Sequence, residues 1–233
     1  MIGLLACLLL SQAPKPDLVE FTDPARGRKI PVAIYKAKES APRKLAVFMH
    51  GYGQNRPDSY LAYGYLTTWL AEQGWQVFSI QNELDSDPFL PTSGEIKVVR
   101  MPFWQQGSDN ISFLLRNIDP SFAKASRRLL IGHSQGGDTA MLHCANHQAD
   151  FTDVITLDHR RMPVPRISSP RISSLRSSDQ LPDLGVIPSR SIAADLGIRI
   201  VRLKAVTHND MDETGSPEVH EQILGELGRL LEH

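Results

Sequence analysis

The sequence predicts an α/β fold: a mostly parallel central sheet with an N-terminal antiparallel hairpin, helices on both faces and no cap domain. Short apolar runs alternate with helical stretches, which is typical of parallel sheets covered on both sides. The first two apolar runs are separated by the turn-rich segment Asp23-Pro24-Ala25-Arg26-Gly27, which indicates a hairpin. Because no insertion between the predicted strands is long enough to form a cap domain, we expect one domain over residues 14–233.

The predicted elements follow in chain order. The hairpin strands are residues 18–21 and 30–35, and residues 45–49 form a continuous apolar run, as expected for a strand buried on both faces. Later strands are predicted at 75–80, 127–131, 154–157, 172–175 and 198–203. Helices are predicted at 57–73, 101–118, 138–149, 192–196 and 217–231, with a long polar loop over 81–100.

Composition excludes some classes of protein. The chain has 233 residues, 41% of them hydrophobic and 22% charged, which is the balance of a globular protein. Its formal net charge of -1 gives no whole-molecule field that favours nucleic acid. We therefore expect no nucleic-acid partner. The absence of a predicted cap domain favours a small-molecule or surface-exposed substrate, and the oligomeric state is left open.

The N-terminal segment is predicted to be a signal peptide over residues 1–13. An apolar run is followed by Ser11-Gln12-Ala13, a small-x-small cleavage pattern, and the run is too short to span a bilayer. A lipid anchor at Cys7 is the second interpretation, because Leu4-Leu5-Ala6-Cys7 resembles a lipobox. The expected location is periplasmic or secreted, and cytoplasmic if the segment is not a signal.

One motif carries the chemistry. Gly132-His133-Ser134-Gln135-Gly136 follows the predicted strand 127–131 and precedes a helix. This strand, Gly-x-Ser-x-Gly turn and helix start form the context of a nucleophile elbow, in which a strained turn exposes the serine hydroxyl. The helix N-terminus behind the turn favours developing negative charge. Ser134 is therefore the predicted nucleophile.

From about Leu18 to its C-terminus the chain resembles the α/β-hydrolase superfamily. It is similar to small esterases without a cap, such as the dienelactone hydrolase group, with serine in place of cysteine. In that family the turn after the third strand, here His50-Gly51-Tyr52-Gly53, supplies part of the oxyanion hole. The resemblance implies the backbone N–H groups of Tyr52 and Gln135 as its donors.

The general base is predicted at His208, which follows the last predicted strand in Val206-Thr207-His208-Asn209-Asp210. The acid is less well defined. Asp179, after the penultimate strand and between nucleophile and base in chain order, is preferred. Asp158, one strand earlier, is the alternative because some lipases of this fold place the acid there, and Asp183 is a weaker candidate.

Several other residues are candidates for binding substrate. Five arginines and one acid lie between residues 158 and 176, and Arg160 and Arg161 are the candidates for holding a carboxylate or phosphate of the substrate. The alternative is that these arginines pair with nearby aspartates or face water. Trp104, at the start of the predicted helix 101–118, is a further candidate, with a role in packing as the alternative. No metal or cofactor is expected, since His143 and His147 lack an evident third ligand.

These features predict a serine hydrolase that cleaves carboxylic esters through an acyl-enzyme intermediate. A thioesterase or a peptidase/amidase of the same fold is an alternative, because one triad serves all three reactions. A non-catalytic exported ligand-binding protein is the alternative from another class.

Overall fold

Eight strands form one sheet in the part of the chain that the computed structural model describes, residues 15–38 and 44–232. Residues 1–13, including Cys7, lie outside this part, so the signal peptide and the lipid anchor stay predictions. The strands are β1 (Asp17–Asp23), β2 (Arg28–Tyr35), β3 (Lys44–Met49), β4 (Trp75–Ile80), β5 (Arg127–His133), β6 (Asp153–Leu157), β7 (Arg171–Arg176) and β8 (Arg199–Arg202).

The order of strands in the sheet is β1-β2-β4-β3-β5-β6-β7-β8. β1 pairs antiparallel with β2 and β2 antiparallel with β4, whereas every later pairing is parallel. The predicted hairpin and the mostly parallel sheet are therefore confirmed. In the register of the central strands, Met49 of β3 lies beside Gly132 of β5, and His133 lies beside Leu157 of β6. The segments that follow these strands consequently emerge together at the carboxyl edge of the sheet.

Five α-helices accompany the described strands: α1 (Gly64–Glu72), α2 (Ile96–Asn117), α3 (Ser134–Asn146), α4 (Arg190–Leu196) and α5 (Pro217–Leu231). The helix predicted at 57–73 is instead divided into a 3-10 turn, Ser59–Leu61, and α1. The helix predicted from residue 101 begins at Ile96, so the predicted loop 81–100 is shorter than expected. α5 has the predicted bounds, with Pro217 in its first turn and the Ser216 side chain capping its N-terminus.

Two apolar layers cover the sheet because successive side chains of a buried strand point to opposite faces. In β3, Leu45 and Val47 pack with residues of α2, α3 and α4, while Ala46 and Phe48 pack with residues of α1 and α5. The continuous apolar run of β3 is thus explained by burial on both faces.

The carboxyl edge is left open. In the described chain, the segments that follow β3, β4, β6, β7 and β8 there are loops or single 3-10 turns rather than a second domain. None of the described helices is long and apolar enough to cross a membrane.

Candidate active site

Ser134 lies at the turn between β5 and α3, with a backbone φ of 51°. This left-handed conformation is strained for a residue with a Cβ and turns the serine out of the sheet. The turn requires glycine at two positions, because backbone atoms lie where a Cβ would be. A Cβ on Gly132 would lie 2.4 Å from the Gly136 carbonyl oxygen, and one on Gly136 would lie 2.2 Å from the Met49 carbonyl oxygen. The geometry is that of the predicted nucleophile elbow.

His208 is brought to this serine by the segment after β8. Its Nε2 lies 2.9 Å from Oγ of Ser134, within hydrogen-bond distance. The two residues are 74 positions apart in the chain, so only the folding of β8 beside β7 at the sheet edge brings them together. The imidazole can therefore accept the serine proton.

The carboxylate that reaches the other side of the imidazole belongs to Asp158, which follows β6. Its Oδ2 lies 2.6 Å from Nδ1 of His208. The preference for Asp179 as the partner of the imidazole is therefore corrected. Asp179 is exposed, and its Oδ1 accepts a 2.8 Å hydrogen bond from the backbone N–H of His208 instead. The weaker candidate, Asp183, forms an ion pair with Arg161.

Asp158 is fully buried and held by several donors. Ser177, at the end of β7, donates its backbone N–H to Oδ1 at 3.0 Å and its hydroxyl to Oδ2 at 2.8 Å. Arg176 forms an ion pair with Oδ1 at 2.9 Å. Burial of the carboxyl raises its pKa, but the hydrogen bond with His208 and the charge of Arg176 outweigh burial and lower the pKa to about 2. The group is thus a carboxylate at neutral pH.

The predicted oxyanion loop, residues 50–53, is fixed from two sides. The Gly51 N–H donates to the Tyr63 hydroxyl at 3.1 Å, and that hydroxyl lies 2.7 Å from Nδ1 of His133. The Tyr52 hydroxyl accepts a 3.1 Å hydrogen bond from the Leu90 N–H.

Gln135, the other predicted donor, is the second residue of α3. The first N–H groups of a helix have no partner within the helix, which leaves them free for a ligand. Tyr52 and Gln135 both line the cavity space beside Ser134.

Comparison with solved structures gives the fold. An esterase from the Planctomycetes species Thermogutta terrifontis has a TM-score of 0.64 at 13% identity, covering 94% of this chain and 91% of that one. The butyrate-bound form of this esterase has a TM-score of 0.63 at 14% identity, covering 94% and 93%. An alpha-beta serine hydrolase homologue from Coxiella burnetii has a TM-score of 0.65 at 11% identity, covering 95% and 100%. The chain has the α/β-hydrolase fold. No family model and no curated protein matches the sequence.

Two cavities flank Ser134 and His208 at the carboxyl edge of this α/β-hydrolase fold. One, of about 140 Å³, lies toward Arg56, Tyr63 and Asp212. The other, of about 260 Å³, contains both predicted arginines, Arg160 and Arg161. The structure thus places these two arginines in the same cavity as Ser134.

Trp104 lies elsewhere. Its side chain is 0% exposed and packs in the apolar layer between α2, α3 and the sheet. Its indole Nε1–H donates a 2.9 Å hydrogen bond to Oε1 of Gln135. The interpretation of Trp104 as a substrate contact is therefore wrong: it touches the residue that carries an expected oxyanion donor.

Three residues of this candidate site were not predicted from the sequence. Arg100 lies in the larger cavity but belongs to a segment that was predicted as loop. Tyr63 and Ser177 belong to no recognisable sequence motif. The position of Ser177 directly after a parallel strand does, however, indicate that it lies at the carboxyl edge of the sheet. Among the described residues, no group of three or more His, Cys, Asp or Glu side chains is arranged to hold a metal ion.

Proposed function

We propose that the protein is a serine hydrolase that cleaves carboxylic esters through an acyl-enzyme intermediate. The observation that carries this proposal is the continuous row of contacts from Ser134 Oγ to His208 Nε2, at 2.9 Å, and from His208 Nδ1 to Asp158 Oδ2, at 2.6 Å. Nucleophile, base and a carboxylate that orients the base are thus within hydrogen-bond distance in sequence.

In the proposed reaction, Ser134 Oγ attacks the ester carbonyl carbon while His208 Nε2 takes the hydroxyl proton. The carbonyl oxygen becomes an oxyanion that accepts hydrogen bonds from the N–H groups of Tyr52 and Gln135. The protonated imidazole then gives its proton to the departing alkoxide, and the alcohol leaves. Asp158 stabilises the positive imidazolium throughout, because it is an ionised carboxylate in a buried position.

Hydrolysis of the acyl-enzyme repeats these steps with water. His208 takes a proton from the attacking water, and the second tetrahedral intermediate collapses to release the acid and restore the Ser134 hydroxyl. The small volumes of the two flanking cavities, about 140 Å³ and 260 Å³, support a small substrate, since cavities that hold drug-sized ligands start at about 300 Å³. Two of the esterase structures that are similar to this chain contain propionate and butyrate, which are short carboxylates.

The test is hydrolysis of 4-nitrophenyl butyrate by the wild type, by Ser134→Ala and by Ser112→Ala. Ser112 lies on α2 and lines, with Leu45, a different cavity that contains neither Ser134 nor His208. It therefore serves as a matched control. We expect Ser134→Ala to lower kcat by about 10⁴-fold or more and Ser112→Ala to leave it unchanged. A fluorophosphonate probe should label the wild type and not Ser134→Ala. Equal turnover by the wild type and Ser134→Ala, without labelling, would refute the proposal.

A further inference from the structure

Three guanidinium-bearing residues line the larger cavity beside the nucleophile. We call this cavity the arginine pocket and define it by Tyr52, Leu90, Arg100, Asp138, Arg160 and Arg161. Arg100 comes from α2, whereas Arg160 and Arg161 come from the loop after β6. Their convergence costs electrostatic energy: burial lowers the pKa of Arg100, and the charges of Arg161 and Arg160 lower it further.

Partners within the protein neutralise only part of this charge. Arg161 is paired with Asp183 through its NH1 group. Arg100 uses its Nε–H on the carbonyl oxygen of Pro91, at 2.8 Å, and forms no ion pair in the described chain. The guanidinium of Arg160 has no hydrogen-bond or ion-pair partner there, and its Nε is buried. A buried donor without a partner is costly, so a group supplied by a ligand would relieve this arrangement.

The one acidic residue of the arginine pocket is Asp138, and its carboxylate already accepts hydrogen bonds from the protein backbone. Its Oδ1 accepts the backbone N–H groups of Arg160 at 3.2 Å, Arg161 at 2.8 Å and Met162 at 2.9 Å. Burial raises the pKa of this carboxyl to about 6. Asp138 therefore holds the loop that carries the two arginines, and the cations outnumber the carboxylates around the pocket.

Resting on the proposed function, we infer that the arginine pocket recognises a carboxylate carried by the substrate, so that the preferred ester is an acidic one. A planar guanidinium donates in a fork that matches a carboxylate. The pocket also contains Ser134 and His208. The carboxylate and the scissile ester therefore belong to one small molecule.

The experiment compares acidic esters with their neutral methyl esters. In the first arm the acid is in the acyl part: mono(4-nitrophenyl) adipate against methyl 4-nitrophenyl adipate. In the second arm it is in the alcohol part: 4-(butyryloxy)benzoate against its methyl ester. We expect the wild type to prefer the acidic member of one pair by about 10- to 100-fold in kcat/KM, the range of a charged hydrogen bond. The arm that shows the preference identifies the part of the ester that lies in the pocket.

The variants are Arg160→Met and Arg100→Met, with Arg116→Met as the matched control. Arg116 is an exposed arginine on the same helix as Arg100. It lines the separate cavity that also contains Leu45 and Ser112. Arg160→Met and Arg100→Met should each reduce the acid-to-neutral ratio of kcat/KM by about 10-fold or more, and Arg116→Met should leave it unchanged. High salt should reduce the wild-type ratio too, a measurement that needs no variant to fold.

Equal kcat/KM for acidic and neutral esters in both arms, with no effect of salt, would overturn this inference. It would leave the proposed function standing as long as the neutral esters are hydrolysed in a Ser134-dependent reaction. Failure of the proposed function is a different result, namely no Ser134-dependent turnover of any of the four esters.

Discussion

Replacing Asp158 by asparagine tests the proposed triad most directly. The change keeps the shape of the side chain and alters one atom and the charge. Oδ1 faces Arg176 and the N–H of Ser177, so the amide oxygen of the variant is expected on that side and the NH₂ group on the side of His208. The NH₂ group is a donor and cannot accept the Nδ1–H of the imidazole. His208 must then carry its proton on Nε2, where it cannot accept the proton of Ser134.

The size of the effect follows from this change of tautomer. The comparable substitution in a serine protease triad lowers kcat by about 10⁴-fold, which corresponds to about 5 kcal/mol of activation free energy. The cost in stability is smaller. Arg176 keeps an oxygen acceptor but loses an ionic one, a loss of about 1–3 kcal/mol. Because the free energy of unfolding of small proteins is about 5–15 kcal/mol, Asp158→Asn should remain folded. Its activity can therefore be measured.

The assay is the rate of 4-nitrophenyl butyrate hydrolysis by Asp158→Asn and Asp179→Asn, with circular dichroism and Tm as checks of folding. Asp179→Asn is the matched control because its amide oxygen can still accept the N–H of His208. We expect it to retain activity within about threefold, as for an exposed site. If a folded Asp158→Asn hydrolysed the ester like the wild type while Asp179→Asn lost activity, the assignment of Asp158 would be refuted.

Two further predictions concern residues around the nucleophile. Asp138 has a pKa of about 6, above the value of about 3.9 in an unfolded chain, so its own contribution to the free energy of unfolding should fall by up to about 3 kcal/mol as pH rises from 4 to 6.5. Asp138→Asn keeps the oxygen acceptor and removes this contribution, so the difference in free energy of unfolding between the wild type and the variant, measured with urea, should be larger at pH 4 than at pH 6.5; the same difference at both pH values would contradict the assignment. Tyr63→Phe leaves the Gly51 N–H without its acceptor and should lower kcat by about 10-fold, the effect of about 1.4 kcal/mol, with little change in KM. A loss confined to KM would show that Tyr63 contacts substrate instead of fixing the oxyanion loop.

The fold was predictable from sequence because its signals are local. Continuous apolar runs bounded by turns marked the strands, and β4 and α5 have the predicted bounds. The prediction was less accurate before α2, where the polar segment 81–100 also contains the first helical turns. The first helical residues are Ile96-Lys97-Val98-Val99-Arg100, whose β-branched side chains give a weak helix signal, so tertiary packing decides where this helix begins.

In the candidate site, too, some residues could be predicted from local sequence and others could not. Ser134 is the candidate nucleophile on the strength of five neighbouring residues, because the elbow is a local backbone structure whose glycines are required by crowding within a few ångströms. His208 is the candidate base because the residues after the last parallel strand must emerge at the same edge of the sheet. Sequence order could not choose between Asp158 and Asp179, since both follow strands that end at that edge.

The sequence by itself therefore determined the class of fold and pointed to Ser134 and His208 as the proposed nucleophile and base. The tertiary structure alone decided that Asp158, after the strand next to β5, contacts the imidazole, while Asp179 holds only the backbone of His208. It also decided that Trp104 is buried and that Arg100 joins Arg160 and Arg161 in one pocket. The physical reason is that hydrogen bonds and ion pairs form over about 3 Å, whereas the residues that make them are tens of positions apart and meet only when the sheet is assembled.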